Sequence, residues 1–195
     1  MVTLNFVLEQ EARGQILIAL ARDSLRAAFG DPPSAPASEP WLVGRGATFV
    51  TLRKAGRLRG CVGTIEPYRS LADDVRSNAC AAAFSDPRFE PLARDELDDV
   101  SIEVAELTPT EELPVRSEKD AMSAIRPGVD GVLIASGRRR GTFLPQMWEQ
   151  LPDVHEFFMH LKLKAGFSPD EWPSDTKVWR YQARKYKERD EVEVD

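Results

Sequence analysis

The stretch ATFVTLRKAGRLRGCVGTIE, residues 47–66, decides the fold because it predicts two strands joined by a tight turn. Aromatic and β-branched residues lie on both sides of a glycine-containing break at residues 54–56, which is the pattern of a β-hairpin. Just after the hairpin, Ser70 and Asp73 have the spacing of a capping box and open an alanine-rich segment. The sequence therefore predicts a hairpin followed by a helix that packs on its sheet.

Further elements follow from the same kinds of local signal. A helical apolar spacing ends at Gly30, and a connector with four prolines follows it. Helices and hairpins interleave without a regular strand–helix–strand rhythm, which favours an α+β fold with a mostly antiparallel sheet and packed helices. The remaining predicted elements are helices at 8–29, 71–84, 117–126 and 154–165, and strands at 101–108, 131–136, 140–145 and 177–186.

The composition is that of a globular protein. The chain has 195 residues, of which 42% are hydrophobic and 30% are charged, enough for one domain or two fused lobes. The longest apolar runs, 16–21 and 79–84, contain six residues each, whereas a membrane-spanning helix needs about 20. The N-terminal sequence lacks the basic and apolar regions of an export signal. We therefore expect a cytoplasmic protein with no membrane partner.

Metal-binding and nucleotide-binding motifs are not found in the sequence. The two cysteines, Cys61 and Cys80, form no CxxC motif. The histidines, His155 and His160, are five residues apart and point in different directions on a helix, unlike the i, i+4 pair of a zinc helix. The sequence therefore predicts no metal site and identifies no cofactor.

Charge is distributed unevenly along the chain. Ten acidic and two basic residues lie in 86–112, so that the rest of this chain of net charge −6 carries +2. Local basic surface can therefore attract an anionic ligand such as a phosphate or carboxylate, although each basic run can equally be a solvated hairpin face. A nucleic-acid interface would use Arg53, Arg57, Arg59, Arg69 and residues 138–140.

LRGCVG, residues 58–63, is the least generic segment. Two glycines flank Cys61 in a predicted strand, and glycine weakens a strand unless a bulge or a closely approaching group needs the space. If the pairing is regular, Arg59, Cys61 and Gly63 share a face, and a guanidinium roughly 7 Å from the sulfur would stabilise a thiolate. The alternative is a buried cysteine that acts as a small apolar residue, with glycines for packing.

Several motifs occur together in the order found in the AMMECR-one domain family, which the chain resembles over about residues 6–187. This family includes protein A of the bacterial and archaeal AmmeMemoRadiSam set. The motifs are LRGCVGTIEPYRSL at 58–71, DPRFEPL at 86–92, DEL at 95–97, SIEVAELTP at 101–109, RPGVDGV at 126–132, GTFLPQMW at 141–148 and HLKLKAG at 160–166.

The resemblance implies a single domain at 6–187, made of two unequal, intertwined lobes with a cleft between them, and a charged tail at 188–195. It implies that the RGCVG strand lies near the cleft, and that the protein is an enzyme or enzyme component working with radical-SAM and Memo-like partners on an unidentified small-molecule or anionic ligand. Cys61 and Arg59 are the candidate catalytic residues. The candidate substrate-binding residues are Gly60, Val62, Gly63, Asp86, Arg88, Phe89, Thr142, Leu144 and Pro145.

Alternatives stay open for the site and for the function. Asp86 and Arg88 either present charges to a substrate or cap the turn that follows the alanine-rich helix. In some relatives a cysteine stands where this chain has Lys162, which argues against a mechanism with two cleft thiols. The protein is therefore an enzyme component, a non-catalytic protein-interaction module or, as the acidic pI near 5.1 makes less favourable, a nucleic-acid-binding protein.

Overall fold

The architecture is an α+β mixture with antiparallel strand pairs, which confirms the predicted fold class. The structure is a computed structural model that describes residues 2–32 and 39–188. Its helices and strands are α1 (Val2–Ala28), β1 (Arg45–Gly46), β2 (Thr48–Lys54), β3 (Arg57–Gly63), β4 (Arg69–Ser70), α2 (Leu71–Phe84), β5 (Val100–Leu107), β6 (Glu111–Leu113), α3 (Glu118–Ala124), β7 (Gly131–Ser136), β8 (Arg139–Phe143), α4 (Val154–Ala165), β9 (Lys177–Tyr181) and β10 (Ala183–Lys187).

The chain divides into two compact units. The first contains the described residues up to Leu107 and those from Arg184 onward, and the second contains Thr108–Ala183. The first unit is therefore completed by a segment that follows the second in sequence. The domain limits 6–187 and the cleft predicted from the resemblance stay predictions.

The first unit is a four-stranded sheet packed with two helices. Its strand order is β10-β5-β2-β3, so β3 is an edge strand. Helix α2 packs on β2 and β3, and α1 packs on α2 and β5. Apolar side chains from both helices and both central strands, among them Leu17, Leu25, Val50, Val75 and Val104, form a core with almost no solvent exposure. The edge position of β3 sets the geometry of the candidate site.

The hairpin predicted at 47–66 is present as β2 and β3. Ala55 and Gly56 form its turn with φ angles of 48° and 75°, the left-handed conformation that two-residue hairpin turns require. Leu52 lies opposite Gly60 whereas Arg53 lies opposite Leu58. Arg59 is therefore the extra residue of a β-bulge, and the strand pairing is not regular at this point.

Helix α2 begins at the predicted cap and lies directly against the hairpin. The Ser70 hydroxyl accepts a hydrogen bond from the Asp73 N–H. At the other end of α2, a Cβ atom built on Gly60 would lie 2.0 Å from the carbonyl oxygen of Ala82. Glycine at position 60 therefore allows the helix backbone to approach the strand closely.

The second unit has its own sheet and core. The strand order is β6-β9-β7-β8, and α4 packs on β7 and β8. Asp153 caps α4 by accepting hydrogen bonds from two N–H groups of its first turn, and Gly166 ends it with a φ of 83°. In the core, the ring of Trp148 stacks on Phe157 with centroids 3.7 Å apart. Helix α4 and the hairpin of β7 and β8, which turns at Gly137, lie where the sequence predicts a helix at 154–165 and strands at 131–136 and 140–145.

Several sequence predictions of element limits were wrong. The strand predicted at 140–145 ends at Phe143, and a short 3-10 helix begins at Pro145. The single strand predicted at 177–186 is two strands, β9 and β10, which belong to different sheets and are separated by Gln182. The first helix is longer than predicted, because it begins at Val2. Two other predicted segments, the middle of the proline connector at 33–38 and the tail from 189 onward, lie outside the described residues.

Helix α1 is 27 residues long, but it carries charged residues along its length. Over the described ranges, the chain contains no helix with both the length and the apolar character of a membrane span.

Replacing Gly60 with alanine tests the close contact between α2 and β3. The new methyl group would collide with a backbone carbonyl that is part of a helix, so the free energy of unfolding should fall by about 3 kcal/mol. Chemical denaturation measures this change. Gly44→Ala is the matched control, because its Cβ would lie 3.5 Å from the nearest atom and should change the stability by less than about 0.5 kcal/mol. Equal stabilities of the two variants would contradict the predicted collision.

Candidate functional site

The peptide groups of Cys61 are held by two charged side chains of the DPRF segment. The Cys61 N–H donates to Asp86 Oδ2 at 2.9 Å, and Arg88 Nη2 donates to the Cys61 carbonyl oxygen at 3.2 Å. Arg88 also pairs with Asp86 through two side-chain bonds of 2.9 and 2.7 Å. We call this arrangement of Cys61, Asp86 and Arg88 the edge clamp, because it satisfies the outer edge of β3 at Cys61.

Asp86 is the negative centre of the edge clamp. Its side chain is only 3% exposed, whereas the Arg88 side chain is 54% exposed. Hydrogen bonds from the Arg88 guanidinium, and then from the N–H groups of Cys61 and Arg88, hold the pKa of Asp86 well below its usual value despite the opposing effect of burial. The carboxylate therefore stays ionised and keeps the clamp closed at neutral pH.

The Cys61 thiol lies beside the Thr51 hydroxyl, and Cys61 as a residue is partly exposed. Thr51 Oγ1 donates to Cys61 Sγ at 3.3 Å, and Thr51 lies directly opposite Cys61 on β2. The second free cysteine, Cys80 on α2, is held against the Ser24 carbonyl of α1. Burial raises the pKa of the Cys80 thiol. The two thiols of the chain therefore have different surroundings.

Arg59 bonds to groups other than the Cys61 thiol. Regular strand pairing would have put the Arg59 and Cys61 side chains on the same face of β3. Its guanidinium donates to both carboxylate oxygens of Glu96, at 3.2 and 2.8 Å, and to the Glu90 carbonyl at 2.9 Å. The hydrogen bonds from Arg59 are the main cause that lowers the pKa of Glu96 to about 2. Because Arg59 occupies the bulge, the alternation that would align it with Cys61 is interrupted. Arg59 therefore anchors the segment after DPRF.

The glycines and Val62 of the RGCVG segment have packing contacts. Gly60 faces the Ala82 carbonyl, and a Cβ on Gly63 would lie 2.2 Å from the Phe49 ring. Val62 packs against the core of the first unit. Close approach by α2 and by an aromatic ring thus explains the two glycines that flank Cys61.

Phe89 closes the turn of the DPRF segment. Its N–H donates to the Asp86 carbonyl at 3.1 Å. The Arg88 guanidinium carbon lies 5.5 Å from the centre of its partly exposed ring, within the range of a cation–π contact. Asp86, Arg88 and Phe89 are thereby brought together with Cys61.

Thr142, Leu144 and Pro145 belong to the second unit. The Thr142 hydroxyl donates to the Val132 carbonyl at 2.8 Å and lies 2.7 Å from the Tyr181 hydroxyl. Burial raises the pKa of Tyr181 to about 12. Leu144 is buried, and Pro145 begins a short 3-10 helix. Thr142 and Pro145 are partly exposed, and the two hydrogen bonds of Thr142 stay within the second unit.

Sequence reasoning missed a row of polar side chains across the sheet. Thr51 has Cys61 on one side and Glu103 of β5 on the other. Glu103 is 6% exposed, and the ammonium groups of Lys185 and Lys187 lie 3.9 and 3.8 Å from its carboxylate. The sequence SIEVAELT contained a signal for this row, because Glu103 is an acidic residue within an otherwise largely apolar, buried strand.

A buried polar network at the start of α2 was also missed. The fully buried Asp74 carboxylate accepts hydrogen bonds from the Thr48 N–H at 2.7 Å, Thr64 Oγ1 at 2.8 Å and Arg69 Nε at 2.8 Å. Asn78, one helical turn later, donates to the Thr48 carbonyl at 2.9 Å. Asp74 and Asn78 lie on the apolar stripe of α2, which was the available signal. The network joins α2 to β2, to Thr64 just after β3, and to β4.

Lys162, at the position where some relatives carry cysteine, is buried and paired. Its ammonium group lies 2.7 Å from Glu118 and donates to the Pro169 carbonyl. Among the side chains that the structure describes, no group of three or more His, Cys, Asp or Glu residues is arranged to hold a metal ion.

Comparisons with known proteins identify the relatives of the chain. The sequence model of the AMMECR1 family matches residues 18–186. A protein of Methanothermobacter thermautotrophicus is 44% identical over 146 residues, 74% of this chain and 76% of the relative. A protein of Thermotoga maritima is 41% identical over 157 residues, 80% and 85% of the two chains. The crystal structure of an uncharacterized protein from Pyrococcus horikoshii superimposes with a TM-score of 0.81 at 32% identity, covering 91% and 92% of the two chains.

Replacing Asp86 with asparagine tests the edge clamp. The variant loses the charge that holds Arg88 and the Cys61 N–H, so its free energy of unfolding at pH 7 should be lower by about 2 kcal/mol. Because the pKa of Asp86 is lowered in the folded protein, this contribution is present above the unfolded pKa near 3.9 and is lost as the pH falls below it.

Urea titrations of the two proteins between pH 7 and pH 2 measure this difference. The stability gap should narrow from about pH 4 downward. Asp98→Asn, which changes an exposed carboxylate of the same unit, should differ little from the natural protein over the whole range. A constant gap for Asp86→Asn would contradict the assigned charge interaction.

Proposed function

This chain belongs to the AMMECR1 family, whose function is uncharacterised, and we propose that it is a thiol-dependent enzyme or enzyme component in which Cys61 is the reacting group. The observation that carries the proposal is the edge clamp. The Cys61 N–H and C=O bond to charged side chains, at 2.9 and 3.2 Å, while Cys61 as a residue is partly exposed. A nucleophile needs this combination of a fixed position and access to substrate.

Cys61 would act as the nucleophile, and the residues around it as positioning groups. Thr51 donates a hydrogen bond to the sulfur, and such a bond stabilises negative charge that develops there. Asp86 and Arg88 hold the Cys61 backbone. Both arginines pair with a carboxylate, but the Arg88 side chain is 54% exposed and the Arg59 side chain only 14%, so an anionic group of a ligand would meet Arg88.

The partners are proposed from the resemblance to protein A of the AmmeMemoRadiSam set. A radical-SAM protein and a Memo-like protein would act in concert with this chain, on a small-molecule or anionic ligand. The half-exposed guanidinium of Arg88 beside Cys61 supports an anionic group on that ligand.

A non-catalytic interaction module is the second candidate function. The observation that favours it is the packing explanation of Gly60 and Gly63, which face the Ala82 carbonyl and the Phe49 ring and so need no ligand to account for them. Nucleic-acid binding has less support. Three of the arginines that it requires, Arg59, Arg69 and Arg139, are paired with carboxylates.

Selective alkylation of Cys61 tests the proposed function. At pH 7 iodoacetamide should modify Cys61 at least about tenfold faster than Cys80, because burial raises the pKa of Cys80 and the thiolate is the reacting form. Mass spectrometry of peptides after timed quenching measures both rates in one sample. Cys61→Ser and Cys80→Ser variants assign the two rates. Protection of Cys61 until the protein unfolds would contradict the thiol function and support the interaction module.

A further inference from the structure

The outer edge of β3 continues past the edge clamp. In an antiparallel strand, successive residues direct their N–H and C=O groups alternately toward and away from the neighbouring strand. The peptide groups of Cys61 point away from β2, since they bond to Asp86 and Arg88. The Thr64 N–H points toward β2, since it donates to the Thr48 carbonyl at 2.9 Å. The peptide groups of Gly63 therefore point outward, like those of Cys61.

The outward-pointing N–H and C=O of Gly63 differ from those of Cys61, which are bonded to Asp86 and Arg88. Within residues 2–32 and 39–188, no hydrogen-bond partner is found for the Gly63 N–H or C=O on this side. Gly63 is partly exposed, and β3 is an edge strand of its sheet. A donor and an acceptor side by side on an open edge match the hydrogen-bonding groups of an extended peptide.

The edge clamp shows how this edge is satisfied two residues earlier, at Cys61. There a carboxylate accepts the N–H and a guanidinium donates to the C=O, which reproduces the two bonds of a neighbouring strand. The clamp also limits what can bind, because it occupies Cys61 and β3 ends at Gly63. A ligand can form one strand-like pair, and its end next to the clamp lies within roughly 7 Å of Cys61.

Phe49 adds an apolar surface at the same position. Its partly exposed ring covers Gly63 on the face of the sheet that carries Cys61 and Thr51. A side chain at position 63 would collide with the ring, so glycine keeps both the ring and the open peptide groups in place.

We propose that Gly63 is a substrate-binding position, at which its N–H and C=O bind one amide of an extended, peptide-like substrate whose chain runs from Gly63 toward Cys61. The substrate of the proposed enzyme would therefore be a peptide-like amide. This inference rests on the proposed role of Cys61 as the reacting group. The substrate is selected by its main-chain donor and acceptor, with Phe49 as an apolar contact.

Two alkylating reagents test this proposal on the full chain. N-(iodoacetyl)glycine methylamide carries secondary amides, and its fully N-methylated counterpart carries none. In both, the cysteine sulfur bonds to the iodoacetyl carbon and iodide leaves. Each rate is divided by the rate with glutathione, to remove differences in intrinsic reactivity. The secondary amide should label Cys61 about tenfold faster, the effect of one or two hydrogen bonds, and Cys80 in the same chain should show a ratio near one.

Amide hydrogen exchange measured by NMR provides a second test without a substitution. In the free protein the Gly63 N–H should exchange faster than the Cys61 N–H, which is bonded to Asp86. Labelling of Cys61 with the secondary amide should slow exchange at Gly63 severalfold.

Two negative results can be told apart. Equal labelling of Cys61 by both reagents, with unchanged exchange at Gly63, would overturn amide recognition and leave the thiol function standing. Failure of Cys61 to react with either reagent or with iodoacetamide would overturn the thiol function and the inference together.

Discussion

Helix α2 lies so close to β3 that position 60 has no room for a side chain, since a Cβ there would lie 2.0 Å from the Ala82 carbonyl oxygen. This contact fixes the helix on the hairpin, and the helix ends at Phe84. Asp86 follows two residues later and reaches the Cys61 N–H. The geometry of the candidate site is thus a consequence of how closely one helix packs on one strand.

The close packing of α2 on β3 has a second consequence, which is that the outer edge of β3 is partly closed. Edge strands carry unpaired peptide groups that must be satisfied or protected, and at Cys61 a carboxylate and a guanidinium satisfy them. Arg59 extends the connection by bonding to Glu96 and to the Glu90 carbonyl. The RGCVG, DPRFEPL and DEL motifs, dispersed in sequence, therefore form one structural unit around the partly exposed Cys61, with Gly63 at the open end of the strand.

Local structure was predictable from the sequence where its cause lies within a few residues. Ser70, Ser117 and Asp153 cap helices α2, α3 and α4 at the starts of predicted helices, because a capping side chain bonds to N–H groups two or three residues away. The two hairpins formed where glycine permits a positive φ at Gly56 and Gly137. The RGCVG segment was also identified from local composition, as glycines that flank a cysteine within a strand.

The sequence by itself therefore determined the α+β class, the helix caps and the hairpin turns, since these depend on backbone conformation over short spans. Only the tertiary structure decided the partners of long-range groups. Arg59 bonds to Glu96, 37 residues away, and the Cys61 N–H bonds to Asp86, 25 residues away. A one-residue bulge at Arg59 and the break at Gln182 redirect whole segments. The physical reason is that hydrogen-bond partners are chosen by packing between distant elements, which periodicity along the chain does not encode.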